Sequence, residues 1–157
     1  MPKRKVVLAI ALCGSLTPMA ASGDCMYFLY ALDSHSTVPS SDASGRSYSA
    51  AFLCGDFHLT GSVTVETTET VTGVHIHGPA NADENGPLLY TLPPLIAGRV
   101  GFDVGPISEA VLHEIDLRRV YTDVHTVEHP QGAFRGIISG EVAVAPGAWG
   151  GVKALYR

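Results

Sequence analysis

The chain has 157 residues and carries 15 acidic against 10 basic side chains, which gives a formal net charge of −5. This acidic balance argues against a nucleic-acid partner, because contact with phosphates requires clustered Lys and Arg. The length is sufficient for one domain with a single hydrophobic core but hardly for two.

The first 22 residues have the order of a cleavable signal peptide. A basic start at Met1 to Lys5 precedes a short apolar run, Val6 to Leu12, and small residues follow up to Gly23. The apolar run is far shorter than the roughly 20 residues that cross a bilayer, and no later segment supplies such a run, so we expect no membrane span. Cys13 leaves a lipoprotein anchor as the alternative, although Leu12 is bulkier than the residue usual before a lipidated cysteine.

Export would place the remaining chain in the periplasm or outside the cell. Removal of residues 1–22 takes away three basic residues and no acidic one, so the net charge falls from −5 to −8. Cys25 and Cys54 are the cysteines that remain. In an oxidising compartment such a pair indicates a disulfide, and two separate buried thiols are the alternative.

The remaining chain is rich in Val, Thr, Gly and Pro, with turn signals at short intervals, which is typical of an all-β sandwich or barrel. Strands are predicted at residues 26–32, 47–54, 56–60, 62–66, 71–77, 88–92, 100–104, 121–126 and 134–144, and a helix at 108–118. We therefore predict a single antiparallel, Greek-key-like sandwich or barrel over residues 23–145, with one short helix in a long connection. Residues 146–157 form a Gly-rich segment that we expect to be a loosely ordered tail.

Two histidines share one face of the clearest predicted strand. Side chains alternate along a strand, so in Val74-His75-Ile76-His77 the aliphatic residues point to the core and the histidines to the other face. This spacing lets two imidazoles reach one metal ion. Surface histidines, or histidines that anchor a loop by hydrogen bonds, have the same pattern and remain the alternative.

A second histidine cluster favours metal binding. The same alternation places Tyr121, Asp123 and His125 on one face of their strand, and His129 follows after a short segment. If the two predicted strands pair or face each other, His125 meets the first pair, with His129 as candidate fourth ligand. Asp123 is then a candidate ligand or an acceptor for a ring N–H group. Imidazoles without a thiolate suit Cu(II), Zn(II) or Fe(II).

Arg135 follows the turn after His129. Its guanidinium either orders the histidine-bearing loop or attracts an anion, which makes Arg135 the candidate catalytic residue. A salt bridge to Asp123 or Asp83 is the structural alternative.

Three segments resemble the CHRD domain, named for chordin and common in exported bacterial proteins. They are HIHGPA at 75–80, NGP at 85–87 and VHTVEHPQGAFRG at 124–136, within a resemblance that covers residues 47–142. Two positions depart from the family's usual pattern, because Asp123 replaces an asparagine and Ala133 replaces a glutamate. If that glutamate normally balances the arginine, Arg135 needs another partner here.

The resemblance implies an extracytoplasmic β fold, but chordin's binding of growth factors does not transfer to a lone domain. The His-x-His pair is also similar to that of copper,zinc superoxide dismutases, although the zinc-ligand region of those enzymes has no clear counterpart here. We therefore predict a site for one transition-metal ion held by His75, His77, His125 and His129, with copper favoured over iron or zinc. Redox chemistry on a small oxygen species such as superoxide is the enzymatic extension, and a non-catalytic binding or adhesion module is the competing class. The oligomeric state stays open.

Overall fold

The computed structural model describes residues 25–54 and 57–139. Within them are eight strands and one helix, in the order β1 (Met26–Leu32), β2 (Gly45–Leu53), β3 (Leu59–Thr67), β4 (Val71–His77), β5 (Leu88–Thr91), β6 (Arg99–Val104), α1 (Glu109–Asp116), β7 (Tyr121–Thr126) and β8 (Phe134–Ile137). The expected signal peptide and C-terminal tail lie outside the described residues. No helix in the described part of the chain is long and apolar enough to cross a membrane.

The strands form two four-stranded sheets, ordered β1-β2-β3-β6 and β5-β4-β7-β8. Every strand pair is antiparallel. The fold prediction is confirmed as a β sandwich rather than a closed barrel. The sheets meet at one edge, where Asp33 and Arg135 exchange backbone hydrogen bonds of 3.0 and 2.9 Å.

The core lies between the sheets and follows the alternation of the strands. Val74 and Ile76 of β4 are each 1% exposed, as their positions in the sequence predicted, and Val124 of β7 is fully buried beside them. The hydroxyl groups of Tyr30 and Thr122 form a 2.7 Å hydrogen bond across the core. This bond satisfies two buried polar groups that would otherwise destabilise the sandwich.

Several predicted elements differ from the structure in extent, most clearly at β3, α1 and β8. The strand predicted at 62–66 and the end of the one predicted at 56–60 form a single strand, β3, which begins at Leu59 and continues through Gly61. The helix is shorter than the predicted 108–118, and Ser108 caps it by accepting a hydrogen bond from the Val111 backbone N–H at 3.3 Å. Of the strand predicted at 134–144, β8 accounts for Phe134–Ile137, and residues 140–144 lie outside the described chain.

The expected disulfide between Cys25 and Cys54 is confirmed. The antiparallel register of β1 and β2 places Met26 opposite Leu53, so the two cysteines are the next pair along the ladder. The bond therefore fastens the start of the first strand to the end of the second. It lies in the first sheet, whereas the histidine strands β4 and β7 belong to the second.

Candidate metal centre

Three of the predicted ligands come together on the outer face of the second sheet. Strands β4 and β7 are neighbours, and their register places Gly73 opposite His125 and His77 opposite Tyr121. One ring nitrogen each from His75, His77 and His125 lies within 4.8 Å of the others. The three half-buried rings therefore form a cluster, which we call the histidine triad.

Gly73 makes space for the triad. It stands on the same face of β4 as His75, and a Cβ atom at this position would lie 3.1 Å from His75 Nε2. The ring of His75 fills the space that a side chain would need, and its centroid lies 4.8 Å from that of His125. Any residue larger than glycine would crowd the ring.

The hydrogen bonds of two triad members determine which nitrogen carries the proton. His77 Nδ1 lies 3.1 Å from the Gly86 carbonyl oxygen, and His125 Nδ1 lies 3.0 Å from that of Pro130. A carbonyl oxygen only accepts, so each Nδ1 donates and each Nε2 of the neutral ring keeps its lone pair. Both Nε2 atoms are buried and have no hydrogen-bond partner among the described residues.

Each imidazole of the triad has a pKa below its ordinary value. Burial lowers the pKa of His75, and positive charge on His125 or His77 would lower it further. Burial is also the main cause of the lowered pKa of His77 and His125, against the opposing effect of their carbonyl partners. Metal ions bind neutral imidazole, so a lowered pKa reduces competition from protons.

The donor set fits a transition-metal ion. Nitrogens bound to one tetrahedral ion at about 2.0–2.1 Å lie about 3.3 Å apart. The triad nitrogens lie within 4.8 Å of one another, so they would approach by up to about 1.5 Å on binding one ion. The carbonyl bonds to Nδ1 fix the tautomer, as bonds behind metal-ligating histidines usually do.

The structure does not bring His129 to the triad. Its Nδ1 lies 2.9 Å from Glu69 Oε2 and its Nε2 lies 2.9 Å from Asp42 Oδ1. These two carboxylates raise the pKa of His129. Because both ring nitrogens are engaged, His129 ties its loop to other parts of the fold, with no lone pair left for an ion.

Arg135 is 1% exposed and lies under the loop between β4 and β5. Its Nη1 donates to the Glu84 carbonyl at 2.8 Å, and its Nη2 donates to the Asn81 carbonyl at 3.3 Å. The guanidinium also sits 3.6 Å from the centre of the Tyr121 ring. Arg135 thus orders the loop that follows the His-x-His pair.

The structural alternative for Arg135, a salt bridge to Asp123 or Asp83, is absent from the described residues. Backbone carbonyls and an aromatic face stabilise the guanidinium instead, since a buried cation needs such partners.

Tyr121 and Gly86 link Arg135 to the triad. The His77 ring stacks on Tyr121 with centroids 5.5 Å apart, and the Gly86 N–H donates to the Tyr121 hydroxyl at 2.9 Å. The carbonyl of the same glycine accepts from His77. The alternation of β7 indicated the face of Tyr121, but the contacts of Gly86 are made by its backbone and leave no signal in the sequence beyond the NGP segment.

Beyond this geometry, the sequence profile of the CHRD domain matches residues 28–138. The chain belongs to the CHRD domain family. The match spans both sheets and all three triad histidines. No curated protein and no solved structure matches the chain at a significant level.

A buried carboxyl, that of Asp123, lies beside the triad of this CHRD domain. Asp123 faces Arg135 in the β7–β8 register and is 4% exposed. Burial raises its pKa to about 7, against the opposing effects of the Arg135 charge and of a backbone hydrogen bond from Val124. Its Oδ1 atom has no hydrogen-bond partner among the described residues.

A cavity of about 210 Å³ adjoins the triad of the CHRD domain. His77 and His125 form part of its wall, and the loops on either side of the triad supply Asn85 and Gln131. The cavity leaves room next to two triad members for something other than protein.

Proposed function

We propose that this CHRD domain binds one transition-metal ion through Nε2 of His77, Nε2 of His125 and a ring nitrogen of His75. When bound, the ion would supply Lewis-acid chemistry, and redox chemistry if it is copper or iron. His129, which the sequence suggested as a fourth ligand, is not part of the proposed set because two carboxylates occupy its nitrogens.

One observation carries this proposal. The two Nε2 atoms are buried lone pairs without a hydrogen-bond partner in the described chain, and carbonyl bonds on the opposite nitrogens fix them in that state. An unpaired buried acceptor costs about 1–3 kcal/mol, so a fold that retains two of them side by side needs a compensating partner. A metal ion is such a partner for both at once.

Copper is the favoured ion, with zinc and iron as alternatives. Nitrogen ligands suit all three, and among divalent first-row metals Cu(II) binds most tightly at a given site. The Cys25–Cys54 disulfide supports an oxidising, extracytoplasmic location, because such bonds are rare in the cytosol. We therefore propose a secreted or periplasmic domain.

Metal analysis of the purified protein tests the proposal. The full chain should be produced by an oxidising export route and analysed for metal content by mass spectrometry. About one equivalent of copper, zinc or iron per chain is expected, and it should fall to background for His75→Ala. Background metal in the wild-type protein, with no uptake on titration, would refute metal binding.

A superoxide dismutase-like activity is the second candidate. The cavity beside His77 and His125 supports it, because a redox ion needs an open position that a small oxygen species can reach. The resemblance to copper,zinc superoxide dismutases rests on the motif alone. If the copper-loaded protein removes superoxide no faster than free copper does, the activity is refuted while metal binding stands.

The competing function is a non-catalytic binding module in which the histidines are structural. The Nδ1 bonds of His77 and His125 support this alternative, because they attach the two flanking loops to the sheet. A module of this kind would keep its fold and its partner without metal. Unchanged thermal stability on addition of copper, zinc or iron would favour it.

A further inference from the structure

Polar side chains line the cavity beside the triad. Besides His77 and His125 it is lined by Asp123, Tyr121, Asn85 and Gln131. In the described chain, the side-chain atoms of this wall that are buried without a partner are the two imidazole Nε2 atoms and Asp123 Oδ1. All three are acceptors of hydrogen bonds when the imidazoles are neutral and the carboxyl is ionised.

The Asp123 carboxyl is enclosed from the side of the β7–β8 loop. At Gly132 a Cβ atom would lie 2.9 Å from Asp123 Oδ1 and 3.1 Å from Oδ2, so this loop covers the carboxyl with bare backbone. The side chain is 4% exposed and has no ion pair within 4.0 Å in the described residues. A buried carboxyl oxygen without a partner favours a molecule that donates a hydrogen bond to it.

The volume limits what such a molecule is. Water occupies about 30 Å³ in the liquid, and sites for drug-sized ligands measure about 300–1,000 Å³. At about 210 Å³ the cavity admits a molecule of a few non-hydrogen atoms. Tyr121 offers a further polar contact, since its oxygen accepts from the Gly86 N–H and its own O–H remains able to donate.

We propose that the cavity binds a small protic molecule, which meets the triad through a lone pair and donates an O–H or N–H bond to Asp123. This inference rests on the proposed metal site, because the ion would bind the lone pair. Small hydroxyl compounds, peroxides and hydroxylamines share this chemistry. Azide offers lone pairs but no hydrogen to donate, and it carries a negative charge toward the carboxyl.

A ligand titration of the full-length protein loaded with cobalt(II), under anaerobic conditions, tests the inference. Hydroxylamine, neutral at pH 7.5, and azide are titrated separately while the visible absorption of cobalt is recorded. We expect the affinity of hydroxylamine relative to azide to be at least about tenfold higher in the wild-type protein than in Asp123→Asn, which corresponds to one charge-assisted hydrogen bond. The ratio should fall in the variant because asparagine lacks the charge and is the weaker acceptor.

Asp123→Asn is a suitable variant because asparagine has nearly the size of aspartate and keeps a carbonyl oxygen, while it carries no charge. Asp103→Asn, the same change at an exposed position of β6 in the other sheet, is the matched control and should keep the full preference, because this carboxylate contacts His58 and does not line the cavity. An equal preference in wild type and Asp123→Asn would overturn the inference. The inference would also be overturned if cobalt binds but neither probe alters its absorption. Metal binding itself would stand in that case.

A second measurement separates this inference from the metal proposal. In metal-free protein, hydroxylamine should shift the backbone amide resonances of Gly86 and Gln131, and shift them less in Asp123→Asn. These shifts without any cobalt uptake would refute the metal site and support the cavity as a binding site. No shifts and no cobalt effect would refute the cavity as a binding site.

Discussion

His125 and His129 are separated by three residues along the chain, yet their rings have different surroundings. His125 donates from Nδ1 to a carbonyl oxygen and leaves Nε2 buried without a partner. Each ring nitrogen of His129 lies 2.9 Å from a carboxylate oxygen, of Glu69 for Nδ1 and of Asp42 for Nε2. Burial lowers the pKa of His125, whereas Asp42 and Glu69 raise that of His129.

The difference shows that the partners of a histidine, more than its position in a motif, determine its role. A neutral ring with a free lone pair is ready to bind a metal ion. A ring between two carboxylates is favoured in its charged form, and it joins the segments that carry those carboxylates. The HTVEHP segment thus combines one candidate ligand with one structural clamp.

The largest expected effect comes from removing a triad ring. His125→Ala should weaken copper affinity by more than about 100-fold, since loss of a direct ligand exceeds the 10–100-fold typical for partners behind ligands. His129→Ala, the matched control, should change it by less than about threefold. Competition titration against a copper chelator measures both. Similar losses of copper affinity in the two variants would contradict the assignment of His125 as a ligand and His129 as a structural residue.

Arg135→Lys should have the next largest effect. Lysine keeps the charge but loses the planar donors that hold Asn81 and Glu84, so the unfolding free energy should fall by about 2 kcal/mol. Copper affinity should fall by about tenfold, because the Gly86 carbonyl behind His77 is then less well fixed. Urea denaturation and chelator competition provide the two values.

Arg99→Lys makes the same change at an exposed site on β6 and should stay within about 0.5 kcal/mol of wild type. If Arg135→Lys changes neither the unfolding free energy nor the copper affinity, the buried guanidinium does not support the triad.

Gly73→Ala should have a smaller, local effect. The new Cβ would lie 3.1 Å from His75 Nε2 and displace the ring by a few tenths of an ångström, so copper affinity should fall by about three- to tenfold. Gly101→Ala is the control, because its Cβ would meet nothing closer than 3.9 Å. Equal copper affinity for the two variants would mean that His75 does not depend on this space.

The smallest effect should be a change in the pH dependence of stability on replacing His129 by glutamine. The raised pKa of His129 stabilises the fold below its ordinary value of about 6.5, and this contribution is lost as pH rises through the folded-state pKa. The pKa of Glu69 is lowered, first by Thr126 and then by His129, and the pKa of Asp42 is lowered by His129. These two carboxylates stabilise the fold above about pH 4–4.5, and their contribution is lost as the pH falls.

The stability difference between wild type and His129→Gln should therefore be largest between about pH 4.5 and 6.5 and shrink on both sides. Thermal melts across pH 3–9 measure it. A difference that is flat with pH would show that the ion pairs of His129 contribute no stability.

The strands β4 and β7 could be predicted from the sequence with their exact bounds, because their alternation is regular and turns flank them. The fold class followed from the composition and the frequent turn signals, and the faces of His75, His77 and His125 followed from the alternation. The strands predicted at 56–60 and 62–66 end on either side of Gly61, and this division was wrong. In β3 this glycine allows close approach instead, because a Cβ there would lie 2.7 Å from Ala51 Cα.

The contact among the three triad histidines could be predicted only on the condition that β4 pairs with β7. That pairing joins segments about fifty residues apart, and the sequence alone does not reveal it. The positions of His129 and Arg135 were harder still. Their partners are Asp42 and Glu69 in one case and backbone carbonyls of residues 81 and 84 in the other. Backbone carbonyls have no sequence signature, and distant carboxylates cannot be assigned to a histidine without the fold.

Anomalous diffraction at the copper edge from crystals soaked in Cu(II) tests the central claim most directly. We predict one strong peak about 2 Å from ring nitrogens of His75, His77 and His125, and none beside His129. A peak between His129, Asp42 and Glu69, or an empty triad at saturating copper, would contradict the assignment of the triad as the metal centre.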